Sequence, residues 1–306
     1  MPSSATAPSH APDATAALER NALDAQFRLD RITDLDGLMR RRAQAAQHAL
    51  THTPCLRALR YAPGDGHTLN LFLPEASAAA GTAGTPLLMF IHGGFWRSLD
   101  ADLFSFVAPG FVAAGAAVAV IDYPLMPAAR MADVVDACFA ALSFLHHTAG
   151  DHRIDAQRIH VSGNSAGGHL VAELMDAAQL RRRGLPAGLP AGGCALSGLY
   201  DLEPVRQSFQ NDFLGLTPQE VAEFSPLRRP YTPAAPVIAT VGALEMEEFL
   251  RQNQVYAQRC EAAGQPVQHR QEPGMDHLSV VLDALADPRQ ALHRQVRAMM
   301  GLPDPA

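Results

Sequence analysis

Short apolar runs alternate with amphipathic stretches along most of the chain. The runs predict strands buried on both faces, because such strands are nearly continuous in apolar residues. The amphipathic stretches have the three-to-four-residue spacing of helices. This alternation favours an α/β fold, with a mainly parallel eight-stranded sheet covered by helices on both faces. The strands are predicted at 56–61, 68–74, 86–91, 116–121, 159–162, 193–196, 236–241 and 267–271, and the main helices at 103–114, 128–147, 170–180, 247–263 and 282–300.

The beginning of the chain has a different pattern. Residues 1–17 are mostly Ala, Pro, Ser and Thr, a composition that predicts a disordered tail. Residues 18–50 have helical spacing and precede the first strand, so they either pack on the domain or lie over one end of the sheet. We therefore interpret 18–55 as an N-terminal helical cap segment.

The rest of the chain, 56–303, is interpreted as one domain. Its first two predicted strands flank a Pro-Gly-Asp-Gly turn at 63–66, so the sheet is expected to start as an antiparallel hairpin. Residues 198–234 contain Pro and Phe without a clear period, and we predict an irregular insertion there that completes a small cap.

Composition excludes several classes of function. The formal net charge of −7, with scattered arginines, gives no basic stripe of the kind that nucleic-acid binding requires. There is no apolar run of about 18 residues to span a membrane, and the first residues lack the pattern of a secretion signal. We expect a soluble cytoplasmic protein whose partner is a small-molecule substrate. Oligomeric state stays open, a homodimer included.

A Gly-Asn-Ser-Ala-Gly run at 163–167 joins a predicted strand to a predicted helix. In a strand-turn-helix of this G-x-S-x-G type, the turn is so sharp that the central residue is strained and its neighbours must be small. Ser165 occupies that central position. We therefore predict that Ser165 is a nucleophile, held above the N-terminus of the following helix.

A serine nucleophile needs an imidazole to take its proton. Of the histidines after Ser165, His169 lies within the following helix, His269 within a strand and His293 within the terminal helix. His277 follows the last strand in a glycine-containing loop, from which a ring can reach over the sheet edge. We predict His277 as the base, with a role in stapling the loop as the alternative.

The imidazole in turn needs a carboxylate, which in this topology lies between the serine and the histidine along the chain. Glu245 is the first carboxylate after the penultimate strand and is the predicted acid. Glu248, at the start of the next helix, and Asp201, after the preceding strand, stay open as alternatives.

A glycine loop follows the strand at 86–91, where backbone amides could stabilise an oxyanion. Its sequence at 92–96 is His-Gly-Gly-Phe-Trp. We assign the oxyanion hole to the amides of Gly93, Gly94 and Ala166, and we interpret His92 as a residue that pins the loop.

No cofactor or metal is predicted. The glycines at 163–168 lack the spacing of a dinucleotide-binding loop and the lysine of a P-loop. The polar group at 146–152 contains three histidines and an aspartate, but it lies at a helix end before a strand, so we interpret it as a solvated C-terminus.

Together these motifs resemble the α/β-hydrolase superfamily, in its hormone-sensitive-lipase-like branch. The finer resemblance is to the kynurenine formamidase (arylformamidase) group, and it covers roughly residues 20–300. It rests on the Trp after the glycine loop, Ser-Leu-Asp-Ala-Asp-Leu-Phe at 98–104, Asp-Tyr-Pro-Leu-Met-Pro at 122–127, Ser-Gly-Leu-Tyr-Asp-Leu-Glu-Pro at 197–204 and the Gly-x-x-Glu-x-x-Glu-Phe-x-x-Gln spacing from residue 242.

The resemblance implies a serine hydrolase that cleaves N-formyl-L-kynurenine, with Ser165, Glu245 and His277 as its triad. Esterase or amidase activity on other aryl substrates is the alternative, and a non-catalytic receptor is a remote one. The group commonly has Asp at the position of Glu245 and Tyr at that of Phe95. We expect Phe95, Trp96 and Met126 to line the substrate pocket.

Overall fold

One eight-stranded sheet runs through the structure, a computed structural model that describes residues 14–29, 32, 34–75 and 84–303. The strands lie in the spatial order β1-β2-β4-β3-β5-β6-β7-β8. Their bounds are β1 Cys55–Arg60, β2 Thr68–Phe72, β3 Thr85–Ile91, β4 Ala117–Ile121, β5 Ile154–Asn164, β6 Gly192–Leu196, β7 Val237–Gly242 and β8 Val267–Glu272.

The sheet topology confirms the predicted fold class. β1 pairs antiparallel with β2, and β2 pairs antiparallel with β4, while every other pairing in the sheet is parallel. β3 and β4 are almost wholly buried, as their apolar runs predict. β5 begins at Ile154, five residues before its predicted apolar run, and the intervening residues 155–158 are mostly polar and not fully buried.

Helices cover both faces of the sheet. The N-terminal helices are α1 Ala14–Ala25 and α2 Leu35–His52. Those of the main domain are α3 Ala101–Phe104, α4 Ala108–Ala113, α5 Met131–His147, α6 Ala166–Leu174, α7 Ala177–Arg182, α8 Glu203–Gln207, α9 Asn211–Leu214, α10 Pro218–Phe224, α11 Glu247–Ala262 and α12 Ala291–Met299, with 3₁₀ turns at Ser105–Val107 and Ala149–His152 and a π turn at Val280–Leu285.

Several predicted bounds need correction. α1 begins at Ala14, inside the predicted tail of 1–17, and the rest of that tail lies outside the described residues. The N-terminal helical stretch consists of two helices, α1 and α2. The terminal stretch is also divided, into a π turn and α12.

The insertion is helical rather than irregular, and a capping box stabilises one of its short helices, α10. At the start of α10, the Thr217 hydroxyl accepts the Glu220 amide, and the Glu220 carboxylate accepts the Thr217 amide. Pro218 occupies the first helical position, where its missing amide costs nothing. The Arg130 Nε also donates to Glu220, at 3.1 Å, and so ties the insertion to the start of α5.

The N-terminal segment contacts the loops at the carboxyl ends of the strands. Phe27 is 1% exposed, and its ring lies edge-on to Phe95, after β3, and to Phe249, in α11. The Asp24 carboxylate accepts the Phe209 amide of the insertion at 2.7 Å. The segment therefore covers the same end of the sheet as the insertion.

No helix in the described parts of the chain is long and apolar enough to cross a membrane.

Candidate active site

Ser165 lies in the sharp turn between β5 and α6, as predicted. Its backbone is strained, with φ 58° and ψ −118°, and the residue is 3% exposed. The turn is tight enough to demand small neighbours. A Cβ on Gly167 would lie 2.0 Å from the Ile91 carbonyl oxygen, which packing does not allow. The glycine is therefore required because α6 starts in direct contact with the end of β3.

His277 and Glu245 form a buried pair. The His277 Nδ1 lies 2.6 Å from the Glu245 Oε2, and both side chains are nearly inaccessible to solvent. A carboxylate only accepts hydrogen bonds, so Nδ1 carries the proton and Nε2 is left as an acceptor. The Phe249 ring packs against the imidazole, with centroids 4.4 Å apart.

Two donors fix the orientation of the Glu245 carboxylate. Its Oε1 accepts the Gly242 amide at 2.7 Å and the Ser197 hydroxyl at 2.6 Å. The other oxygen is therefore directed at His277. The turn after β7 folds back onto the end of that strand, since the Glu245 amide donates to the Gly242 carbonyl at 3.1 Å.

The serine itself is not hydrogen-bonded to the pair. Among the residues that the structure describes, the Ser165 hydroxyl makes no hydrogen bond to the His277 ring. In unliganded active sites, hydrogen bonds to the nucleophile are often long and tighten only when substrate binds. The arrangement thus contains a preformed acid–base pair and a strained serine at the same end of the sheet.

The glycine loop lies beside the serine. A Cβ on Gly93 would be 3.2 Å from the Ser165 Cβ, so the loop backbone contacts the nucleophile directly. Gly94 has φ +110°, and the Arg97 amide and Ser98 hydroxyl both donate to its carbonyl. Ala166 is the first residue of α6, where amides have no partner within the helix. That Gly93, Gly94 and Ala166 bind an oxyanion stays a prediction.

His92 pins this loop. Its Nδ1 lies 2.7 Å from the Gly93 carbonyl oxygen, and its ring stacks on Tyr123 at 4.3 Å. Burial lowers the pKa of His92, which favours the neutral ring. The Tyr123 hydroxyl also donates to the His92 carbonyl, at 3.0 Å, and so helps to hold the loop in place.

The alternative bases have other contacts. His169 is fully buried, its Nε2 lies 2.7 Å from the Phe224 carbonyl oxygen, and burial lowers its pKa to about 4. The His293 Nδ1 lies 2.8 Å from the Leu285 carbonyl oxygen. His269 lies within β8, as predicted.

The alternative acids are ion-paired elsewhere. Asp201 bonds Arg228 at 2.6 Å, and Glu248 bonds Arg251 at 2.6 Å. Of the three candidate carboxylates, only Glu245 contacts His277.

The predicted pocket residues are buried around the glycine loop. Trp96 is inaccessible to solvent and lies edge-on to the His169 ring, at 5.2 Å between centroids. Met126 is 2% exposed, and its amide donates to the Trp96 carbonyl. Phe95 packs on Phe27 of the N-terminal segment. Contact between these three residues and a substrate stays a prediction.

Sequence reasoning gave no role to Ser197 and Phe249, the residues that hold the acid and the base, although both lie in segments that carry the family resemblance. Ser197 has φ 51° and follows β6 directly, and this position after a buried strand was a further signal. Phe249 looks like an ordinary apolar residue of α11. Its contact with His277 depends on how α11 packs against the loop that follows β8.

We expect Ser197→Ala to lower kcat by about tenfold, because Glu245 loses a charge-assisted hydrogen bond that orients it. Alanine keeps the Cβ, so the backbone requirement at this position is unchanged. The measurement is steady-state hydrolysis of phenyl acetate. Ser208→Ala is the matched control, since that buried hydroxyl donates to the Val205 carbonyl, away from the pair. An equal loss in both variants would contradict the orienting role.

The family described as alpha/beta hydrolase fold matches residues 88–281. The match covers more than half of the chain, which therefore belongs to the α/β-hydrolase family and is a hydrolase.

Among similar proteins, the kynurenine formamidase of Danio rerio is 25% identical over 264 residues, which are 83% of this chain and 85% of that protein. The kynurenine formamidase of Salmo salar is 24% identical over 271 residues, 85% of each chain. A solved candidate thioesterase from Silicibacter sp. superposes with a TM-score of 0.73 at 29% identity, over 88% of this chain and 97% of that one. An esterase from Pyrobaculum calidifontis superposes with a TM-score of 0.67 at 17% identity, over 93% and 97%.

Proposed function

We propose that the protein is a serine hydrolase that cleaves an aryl formamide, N-formyl-L-kynurenine, to L-kynurenine and formate. The observation that carries the proposal is the buried His277–Glu245 pair, which is fixed by two further donors at the end of the sheet that holds Ser165. The similarity to kynurenine formamidases over most of the chain supports the substrate.

In the proposed reaction, the Ser165 Oγ attacks the formyl carbon while the His277 Nε2 takes the hydroxyl proton. Glu245 stabilises the resulting imidazolium. The carbonyl oxygen becomes an oxyanion, and the amides of Gly93, Gly94 and Ala166 donate to it. Each such donor contributes about 3 kcal/mol to transition-state stabilisation.

The second half of the reaction uses the same base. His277 donates its proton to the amine nitrogen as the carbon–nitrogen bond breaks and the aniline leaves. A water molecule, deprotonated by the same ring, then attacks the formyl-enzyme and releases formate and Ser165. An aniline is a weakly basic leaving group, so this cleavage is easier than that of an ordinary amide. Aryl esters are therefore expected to react as well.

The test compares kcat/KM for N-formyl-L-kynurenine with that for p-nitrophenyl acetate. The ester has the better leaving group, but we nevertheless expect the formamide to be the better substrate. Contacts between the enzyme and the parts of this substrate remote from the formyl group stabilise its transition state. A much larger value for the ester would replace the formamidase proposal with a carboxylesterase. Failure of a fluorophosphonate probe to label Ser165 would instead indicate a non-catalytic receptor.

A further inference from the structure

Arg97 is a partly buried cation at the rim of the candidate site. It follows the glycine loop, and its amide donates to the Gly94 carbonyl at 3.1 Å. Its guanidinium extends towards the insertion. There it donates to the Gln210 Oε1 over a long 3.4 Å and lies 4.6 Å from the centre of the Phe213 ring. The Nε is shielded from solvent and has no hydrogen-bond partner in the described parts of the chain.

Arg97 has no carboxylate within ion-pair distance among the described residues, whereas nearby arginines do. In the insertion, Arg206 pairs with Glu203 and Arg228 with Asp201. In α11, Arg251 pairs with Glu248. Among the described residues, Arg42 and Arg297 also lack a carboxylate partner, but Arg97 directly follows the glycine loop of the candidate site. Partial burial of an uncompensated charge costs free energy that an anionic ligand would recover.

A chain of contacts connects Arg97 to the acid–base pair. Its partner Gln210 is 4% exposed and donates to the Phe27 carbonyl at 3.3 Å. Phe27 packs on Phe95, two residues before Arg97, and on Phe249, which contacts His277. Arg97 therefore lies where the glycine loop, the insertion and the N-terminal segment meet, and this contact region extends through Phe27 and Phe249 to His277.

We propose that Arg97 binds a carboxylate on the leaving-group side of the substrate, so that the enzyme selects acyl compounds whose amine or alcohol part carries a carboxylate. This inference rests on the proposed function and deepens it, because N-formyl-L-kynurenine has an amino-acid carboxylate remote from the formyl group. The guanidinium uses one long hydrogen bond among its five donors, which leaves it able to bind a carboxylate through two parallel hydrogen bonds. Phe213, 51% exposed, provides an apolar neighbour for the charged pair.

The experiment compares two aryl formamides, one with a carboxylate and one without: the zwitterionic N-formyl-L-kynurenine, and the uncharged 2-formamidoacetophenone, which lacks the amino-acid part. The quantity measured is the ratio of kcat/KM for N-formyl-L-kynurenine to that for 2-formamidoacetophenone, which cancels effects common to both. We expect R97Q to lower this ratio by about tenfold to a hundredfold, mainly through KM, and R97K to lower it by less, because lysine keeps the charge but loses the second parallel hydrogen bond. R20Q removes an exposed arginine of α1 that pairs with Asp212 and serves as the control. An unchanged ratio in R97Q would overturn the proposal.

A second measurement separates this inference from the formamidase proposal. If the wild-type protein hydrolyses neither formamide, the formamidase proposal fails, and inhibition of p-nitrophenyl acetate hydrolysis is measured instead. L-Kynurenine should then inhibit more strongly than the neutral 2-aminoacetophenone, and R97Q should abolish the difference. Equal inhibition of the wild-type enzyme by the two compounds, or none by either, would refute carboxylate binding.

If R97Q does not fold, the dependence of KM on salt concentration in the wild-type protein tests the proposal instead. Ion pairing with Arg97 requires that KM for N-formyl-L-kynurenine rise when the NaCl concentration is raised about tenfold, while KM for the neutral formamide stays constant. The same response for both substrates would count against the proposal.

Discussion

Ser165→Ala is expected to lower kcat by about a million-fold, to the level supported by substrate binding and the oxyanion hole alone. The reason is that no other group can form the covalent acyl-enzyme: the strained turn presents a single hydroxyl next to the glycine loop. Hydrolysis of N-formyl-L-kynurenine or phenyl acetate measures the loss. A fluorophosphonate probe should label the wild-type protein with one adduct and leave the variant unlabelled.

Ser162→Ala is the matched control. Ser162 lies on β5, three residues before Ser165, is fully buried and pairs in register with Cys194 of β6. This variant should keep both activity and labelling. If Ser165→Ala retained more than about a thousandth of the wild-type kcat, the covalent mechanism would be wrong.

Glu245→Gln is expected to lower kcat by about ten thousand-fold, because it forces His277 into the wrong tautomer. The Gly242 amide can only donate, so the carbonyl oxygen of a glutamine must take the place of Oε1. The amide nitrogen then faces the His277 Nδ1, which must become an acceptor. The Nε2 consequently carries the proton and cannot accept one from Ser165.

Two further variants test this interpretation of Glu245. Glu248→Gln changes a carboxylate of the same region that pairs with Arg251, and it should remain active. Glu245→Asp keeps the charge, so it should retain more activity than Glu245→Gln. The assay is hydrolysis of phenyl acetate, with thermal unfolding to confirm that each variant is folded. If Glu248→Gln were the inactive one, the acid would be misassigned.

β8 is half exposed and has no apolar run, but four other strands, β3, β4, β6 and β7, were predictable because each is a contiguous apolar run buried along almost its whole length. The helices of the insertion were not. α8, α9 and α10 have four to seven residues, too few to display a helical period, and only the Thr217–Glu220 capping box marked one of them.

The candidate site was predictable where its residues follow strands directly. Glu245 and His277 were placed by their order along the chain and their positions after β7 and β8, and the structure brings them into contact. Ser197 and Phe249 were not predictable, because their roles depend on a backbone angle and on a contact between distant elements. The same is true of Arg97, whose lack of an anion is visible only once its neighbours are known.

The acid–base pair and the nucleophile differ in how firmly they are anchored. Ser165 follows β5, in the middle of the sheet, whereas His277 follows β8, the outermost strand, in which three of six residues are exposed. Edge elements open locally at a smaller free-energy cost than the whole domain. Heat inactivation would then begin with detachment of His277 from the site while the central strands are still folded. The temperature range in which the enzyme works therefore depends on the local stability of β8 and the loop that follows it.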